Sequence, residues 1–497
     1  MRIELAGFNV EKEILEKCVG SQRELLTPEI FSSAYARISR SPEDIPGLRK
    51  KARTDLKKAR ISNKTIIFEM GHHSVAEHAV FNFDMMGISR LALEEIEKFR
   101  LVSYTEKSQR YVTLKGDYVL PEEITGTADR AMYEKIIQLQ YEFYKKSVSA
   151  LQEYNLSRFP EIAKKKEGRK LLKNLAKEDA RYILPLASEG QVGLTINARN
   201  LEHLFRRFHL SRREEVRRIG SKIYDLVYPV APSIFLFSEA SRFEKDIHDS
   251  FRNSFDTIGQ ITSQSPEAAK NGKKQGLETK IIRLTENGDD VILASFLSIY
   301  RSIDYNEAFE IIKNLDGPLK KTMFMNLFKN MEFFDSPPRE FEMADITFQA
   351  VISASNFAQL KRHRLATLIS GNYDIQFGNT IPESIKVTGL QDEFKNIIEQ
   401  TNECYLGLQE RYTEAADYIL TNSHRRMLLM KMNLRELYHF IRLRDDEHAQ
   451  WEIRQMAGDI LERVKPLMPY STMLLCGKSN FVDLFEKTFQ KKPNVLI

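Results

Sequence analysis

The sequence predicts a mixed helix-and-strand fold built twice within one chain. The first indication is a strand-to-helix unit that occurs at both 80–100 and 344–364. In VFNFDMMGISRLALEEIEKFR, Phe81, Phe83 and Met85 alternate with Asn82 and Asp84, and Ile88, Leu91, Ile96 and Phe99 then recur at helical spacing. In ADITFQAVISASNFAQLKRHR, Ile346 and Phe348 alternate before Ile352, Phe357 and Leu360. The units close on Lys98-Phe99-Arg100 and Arg362-His363-Arg364. The second indication is a shared Asn-x-Arg-x-x-x-His helix at 195–205 and 431–441, with Leu201 and Leu204, or Leu434, Leu437 and Ile441, as its buried stripe. The third is that the starts match: RIELAGF and IFSSAYARIS (30–39) against KIIRLTE and VILASFLSIY (291–300). Four matches in one order predict a duplication.

The elements follow in sequence. Residues 1–245 form the first copy, with an additional Lys- and Tyr-rich helical segment at 125–175 that carries no motif. Residues 246–277 form the linker, because TIGQITSQSPEAAKNGKKQG within it is polar and aperiodic. Residues 278–497 form the second copy, in which MLLMKM (427–432) reads as a core strand. Length alone, 497 residues, would have suggested about three domains.

Composition narrows the class. With 42% hydrophobic and 29% charged residues the chain is globular, not disordered. Three widely spaced cysteines, Cys18, Cys404 and Cys476, exclude a disulfide scaffold and a paired-CxxC zinc site and fit a reducing compartment. The net charge of +5 suits anionic small molecules better than a coat for nucleic acid. No apolar run reaches membrane-spanning length and the N-terminus is not a signal peptide, so the expectation is a cytoplasmic protein.

Several segments could carry chemistry. No GxGxxG or GxxxxGK[ST] is present, which leaves out Rossmann and P-loop sites. GHHSVAEH (71–78) groups His72, His73, Glu77 and His78, but its spacing matches neither HExxH nor a zinc finger, so no metal is expected. SYTEKSQRY (103–111) sets Glu106, Ser108 and Arg110 at alternate positions, where an extended loop would aim them together at a phosphate; a solvated polar loop is the equal alternative. Arg362-His363-Arg364 offers two guanidinium forks beside an imidazole, or a solvated helix end. RRFHLSRREEVRR (206–218), interrupted by Glu214 and Glu215, reads as a solvated helix rather than a nucleic-acid face. HAQWEIR (448–454) is either a buried, hydrogen-bonded helix start or part of a site.

Together these segments resemble the flavin-dependent thymidylate synthases, over about 30–240 and again over about 280–470. The resemblance rests on the GHxSxxEH stretch, the RHR triplet, an AR-x-x-LP segment, the Asn-x-Arg helix and the terminal R-L-R…HAQWEIR. It implies an α+β fold: two tandem copies of a twisted, mainly antiparallel sheet flanked by helices. It also implies FAD as cofactor, NADPH and methylene-tetrahydrofolate as co-substrates, and conversion of dUMP to dTMP. A homodimer would then form a pseudo-tetramer.

Neither copy is complete by that pattern. The first keeps Gly71-His72, Ser74, Glu77, Glu106, Ser108, Arg110, Arg181, Asn197 and Arg199, but has Lys98-Phe99-Arg100 in place of RHR and reads Phe208 near the late arginine. The second keeps Gln359, Arg362, His363, Arg364, Asn433, Arg435, His439, Arg444 and His448, but has Asn372 and Asp374 at the S-x-R positions and Asp417 at the AR arginine. The losses are complementary, so a site drawing on both copies would be whole. By the resemblance, Glu106, Ser108, Arg110, Arg181, Gln359 and Arg362 would bind dUMP, and Arg444 would be catalytic, stabilising charge on the uracil. Ser74, Glu77, His363, Arg364, Asn433, Arg435 and His439 would bind FAD. A catalytically silent flavin- or nucleotide-binding paralogue is the alternative, and a nucleic-acid-associated protein a third reading.

Overall fold

The computed structural model describes residues 1–17, 25–247, 250, 254 and 279–495. Cys18 and, apart from 246, 247, 250 and 254, the expected linker lie outside the described residues. The chain divides into two compact units, residues 1–272 with 381–422, and residues 273–380 with 423–497.

The first unit holds a four-stranded sheet in the order β1-β2-β4-β3, formed by β1 (Arg2–Phe8), β2 (Val80–Ser89), β3 (Ser103–Glu106) and β4 (Glu189–Asn197). Every pairing is antiparallel, with Val80 opposite Asn197 and Ser103 opposite Thr195. Alternation sends Phe81, Phe83, Met85, Val192, Leu194 and Ile196 to one buried face, where helices cover them. Each buried phenylalanine contributes roughly 1.5–3 kcal/mol. The second unit repeats the plan as β5-β6-β8-β7, from β5 (Lys280–Leu284), β6 (Asp345–Ser353), β7 (Thr367–Tyr373) and β8 (Arg425–Asn433). It is also antiparallel, with Asp345 opposite Asn433 and Thr367 opposite Lys431. The inward residues are Ile346, Phe348, Ala350, Leu428, Met430 and Met432. The expected α+β architecture, two copies of an antiparallel sheet flanked by helices, is therefore present.

Strands pass directly into helices through side-chain caps. Ser89 accepts from the Ala92 amide to start α1 (Arg90–Ile96), and Ser353 from the Asn356 amide to start α6 (Ala354–Leu360). Two long helices fill the segment that lacked a motif, α2 (Arg130–Arg158) and α3 (Lys166–Ala180). Asn197 caps α4 (Ala198–His209), which is followed by α5 (Glu214–Val227). In the second repeat α7 (Gln391–Tyr412) precedes α8 (Leu434–Arg444), capped by Asn433, and α9 (Trp451–Val464).

The helix α7 belongs to the first unit, although its sequence lies in the second repeat. It packs on α2 through Phe143 and Phe394, with ring centroids 5.8 Å apart, and through the Gln140 amide, which donates to Thr401 Oγ1 (3.0 Å) and to the Ile419 carbonyl (2.9 Å). The matching ILP and ILT segments pair there: Leu186 N donates to the Leu420 carbonyl (2.7 Å) and Asn422 N to the Leu184 carbonyl (2.9 Å).

The basic run 206–218 departs from the solvated helix expected of it. The helix breaks after His209 and resumes at Glu214, and both Arg213 and Glu215 are buried. Glu215 accepts from Ser89 N (2.8 Å) and Ser89 Oγ (2.6 Å), locking the start of α1. Glu452 makes the same pair of bonds to Ser353 in the second repeat (3.3 and 2.6 Å). No helix among the described residues is long and apolar enough to cross a membrane.

Candidate functional site

In the second unit, α6 ends in a tight turn, with His363 N bonded to the Leu360 carbonyl and Ala366 N to the His363 carbonyl. The turn leaves Arg362 and Arg364 exposed and buries His363, which is 2% exposed. Arg444, at the end of α8, donates from Nε to His363 Nε2 (2.9 Å) and from Nη2 to the Gln359 carbonyl (3.0 Å). Because Nε2 accepts, the ring proton sits on Nδ1 and is donated to Glu436 Oε1 (3.2 Å). Burial, aided by the Arg444 charge, pushes the His363 pKa down to about 3, so the ring is neutral and Arg444 carries the positive charge. Both nitrogens of His363 are thus used in orienting Arg444. Burial pushes the Glu436 carboxyl up.

Gln359 is almost buried, its Nε2 3.5 Å from Gln450 Oε1, and its Oε1 has no hydrogen-bond partner. Gln450 also caps α9 by accepting from the amides of Glu452 and Ile453. The HAQWEIR run supplies a hydrogen-bonded helix start, and its His448 is exposed and bonded to Asp446 (3.0 Å). Asn433 spends its side chain on the α8 cap, accepting from Glu436 N (2.8 Å). Arg435 holds Glu342 (3.2 Å) and the Pro337 carbonyl (2.8 Å), while the His439 ring lies 5.5 Å from that of His363.

In the first unit the loop after β3 does not continue extended, as the alternation implied. It turns at Ser108, whose Oγ accepts from Arg110 N (3.2 Å) and whose carbonyl accepts from the Tyr111 and Val112 amides. The turn brings Arg110 Nε onto Glu178, near the end of α3. Three residues further on, Arg181 is 5% exposed, and its Nε and Nη2 have no hydrogen-bond partner. Burial lowers its pKa, with Glu178 as the main opposing charge. Two arginines here face one carboxylate, and a buried guanidinium with unsatisfied donors has the chemistry of an oxyanion receptor. Glu106 instead lies 3.8 Å from the buried Arg90, and Ser74 is exposed on the short 3-10 turn His73–His78. Glu77 pairs with Arg199 (2.5 Å), matching Glu342 with Arg435 in the other repeat.

Sequence reasoning missed Asn422. Its Nδ2 donates to the Arg181 carbonyl (3.0 Å) and to Gln109 Oε1 (3.1 Å), and its buried Oδ1 has no partner. The available signal was a polar residue in ILTN at the place where ILPL has Leu186. Among the described residues no group of three His, Cys, Asp or Glu is arranged to hold a metal ion. Burial pushes the thiols of Cys404 to about 11 and Cys476 to about 12, so neither offers a thiolate near neutrality.

A family model described as thymidylate synthase complementing protein, Thy1, matches residues 25–233 and 280–470. A flavin-dependent thymidylate synthase of Clostridium tetani is 31% identical over 218 residues, 43% of this chain and 83% of that protein. A UPF0159 protein of Thermoplasma acidophilum is 23% identical over 457 residues, covering 84% of this chain and 88% of its own length. Another, from Chlamydia muridarum, is 22% identical over 446 residues, 87% of this chain and 82% of that protein. The chain therefore belongs to the Thy1 family of flavin-dependent thymidylate synthases, whose domain it carries twice in tandem.

Proposed function

We propose that this protein is a working flavin-dependent thymidylate synthase that converts dUMP to dTMP with methylene-tetrahydrofolate and NADPH, at a site drawn from both repeats. The observation that carries the reading is Arg181: a buried guanidinium with two unsatisfied nitrogens, next to Arg110 and Ser108, calls for an anion such as a nucleotide phosphate. In this reading Ser108, Arg110 and Arg181 hold the phosphate, with Glu106 shaping the loop. Asn422 fixes Arg181 and Gln109 to each other.

The second repeat contributes Gln359 and Arg362 to the nucleotide, and Arg444 to the base. The neutral His363 and the Gln359 carbonyl hold Arg444 in one orientation, so its charge meets the negative charge that develops on the uracil without reorganising. The unsatisfied Oε1 of Gln359 suits an imide N–H of a pyrimidine. The exposed Arg364, with Arg435 and the imidazole of His439, supplies cations and donors of the kind a dinucleotide's pyrophosphate requires. Asn433, His363, Ser74 and Glu77 would complete the FAD set, Asn433 and His363 by shaping it through the bonds described. When bound, FAD supplies hydride transfer between NADPH and the transferred carbon. A cytoplasmic homodimer, with half the working sites of a four-site assembly, is the expected form.

Flavin absorbance of the purified protein, followed by dUMP-dependent NADPH oxidation with methylene-tetrahydrofolate, tests the proposal. Arg110→Ala and Arg362→Ala should each abolish turnover, and Asp374→Ala should do little. A protein that takes up no FAD would refute it.

A further inference from the structure

The two repeats place exchanged chemistry at matching positions. Glu95 and Lys98 follow the capping Ser89 at the distances at which Gln359 and Arg362 follow Ser353. Phe99 matches His363, Phe208 matches Arg444 by its distance from the capping asparagine, and Arg213 precedes Glu215 as Gln450 precedes Glu452. Asp417 stands in AADYIL where Arg181 stands in DARYIL.

The exchanges are mutually compensated. The bond of 2.9 Å between Arg444 and His363 is replaced by an edge-to-face contact of Phe99 with Phe208, centroids 6.0 Å apart. The Gln359–Gln450 amide contact is replaced by an ion pair of Glu95 with Arg213 (3.5 Å). Lys98 closes on Glu95 (2.6 Å), and Arg213 reaches Asp417 (2.5 Å) with both side chains buried. Of the matched positions, Gln359, Arg362 and Arg181 of the proposed site, with the Gln450 that contacts Gln359, hold two positive charges and no negative one, which fits a dianionic phosphate. The set Glu95, Arg213, Lys98 and Asp417 is neutral by itself. Arg213 Nε still has no hydrogen-bond partner, although the residue is 7% exposed.

We propose that Asp417 is a tethered anion filling the reciprocal site, so that each chain binds one nucleoside monophosphate and loss of the Asp417 carboxylate opens a pocket for an inorganic oxyanion. The comparison of charges rests on the composite-site reading above. Breaking a buried ion pair from one side leaves the remaining charge uncompensated, whereas removing both charges does not.

The test is thermal unfolding of the full chain in low-anion buffer, with and without inorganic phosphate. Asp417→Ala should lower Tm by about 5 °C or more. Saturating phosphate should then raise it by several degrees beyond the rise seen in the native protein. The double variant Arg213→Met with Asp417→Leu should keep a near-native Tm and respond to phosphate only as the native protein does. An Asp417→Ala protein no more responsive to phosphate than the native one overturns the proposal. So does equilibrium dialysis finding two dUMP bound per native chain, a measurement that needs no variant to fold. The phosphate comparison requires neither flavin nor turnover, so an inactive protein would refute the composite site without changing its outcome.

Discussion

Replacing His363 by glutamine probes the support of Arg444 through a proton that the folded protein refuses. The amide of glutamine can still accept from Arg444 Nε and donate to Glu436, but it does not titrate. Burial and the Arg444 charge hold the His363 pKa at about 3, against an ordinary value of 6.5. Between these values the unfolded chain binds a proton that the folded chain does not, so this group's contribution to stability falls as pH drops below 6.5 and levels off below about 3. The slope is about 1.4 kcal/mol per pH unit, or roughly 2 kcal/mol lost between pH 6.5 and pH 5. The acids away from residue 363 are present in both proteins, so their titration largely cancels in the difference, and the glutamine amide keeps a bond to Glu436. Urea unfolding of native and His363→Gln protein at pH 7 and pH 5 should show the native protein losing about 2 kcal/mol more than the variant. Parallel losses would mean that His363 is protonated in the fold, and the neutral-acceptor account of Arg444 would be wrong.

Three further outcomes follow from the geometry. Asn422→Leu, which installs the side chain found at Leu186, should raise KM for dUMP about 5- to 30-fold at near-native kcat, because about 1–2 kcal/mol of hydrogen bonding that positions Arg181 and Gln109 is lost; steady-state kinetics reads this split. Ser89→Ala and Ser353→Ala should each destabilise by about 1–3 kcal/mol in denaturant unfolding, since each removes a helix cap and strips a hydroxyl from Glu215 or Glu452. Arg199→Ala should cost less than about 1 kcal/mol of stability, because its pair with Glu77 is largely exposed. Arg435→Ala should instead weaken FAD binding by fluorescence titration, and equal effects on FAD from both variants would contradict the assignment.

What could be read from the sequence was local. The strand-to-helix units at 80–100 and 344–364 came from periodicity, and Val80–Ser89 with α1 and Asp345–Ser353 with α6 are those units. The Asn-x-Arg helices were likewise legible, although spacing did not reveal that Asn197 and Asn433 spend their side chains as caps. Non-local pairing was not legible. Arg213 read as solvated because the Asp417 that buries it lies 204 residues away. No pattern within 391–412 signals that α7 packs with the first repeat's α2. The turn at Ser108 was hidden for a related reason: it is held by backbone bonds and by Glu178 on a distant helix, not by the alternation of Glu106, Ser108 and Arg110.

The central claim is that one site needs both repeats, and product formation with one lesion in each tests it most directly. Native protein reconstituted with FAD should form dTMP from dUMP, methylene-tetrahydrofolate and NADPH. Arg181→Leu in the first repeat and Arg444→Leu in the second should each abolish that product while the protein remains folded. Full dTMP formation by either variant, or none by the native protein, would contradict the account.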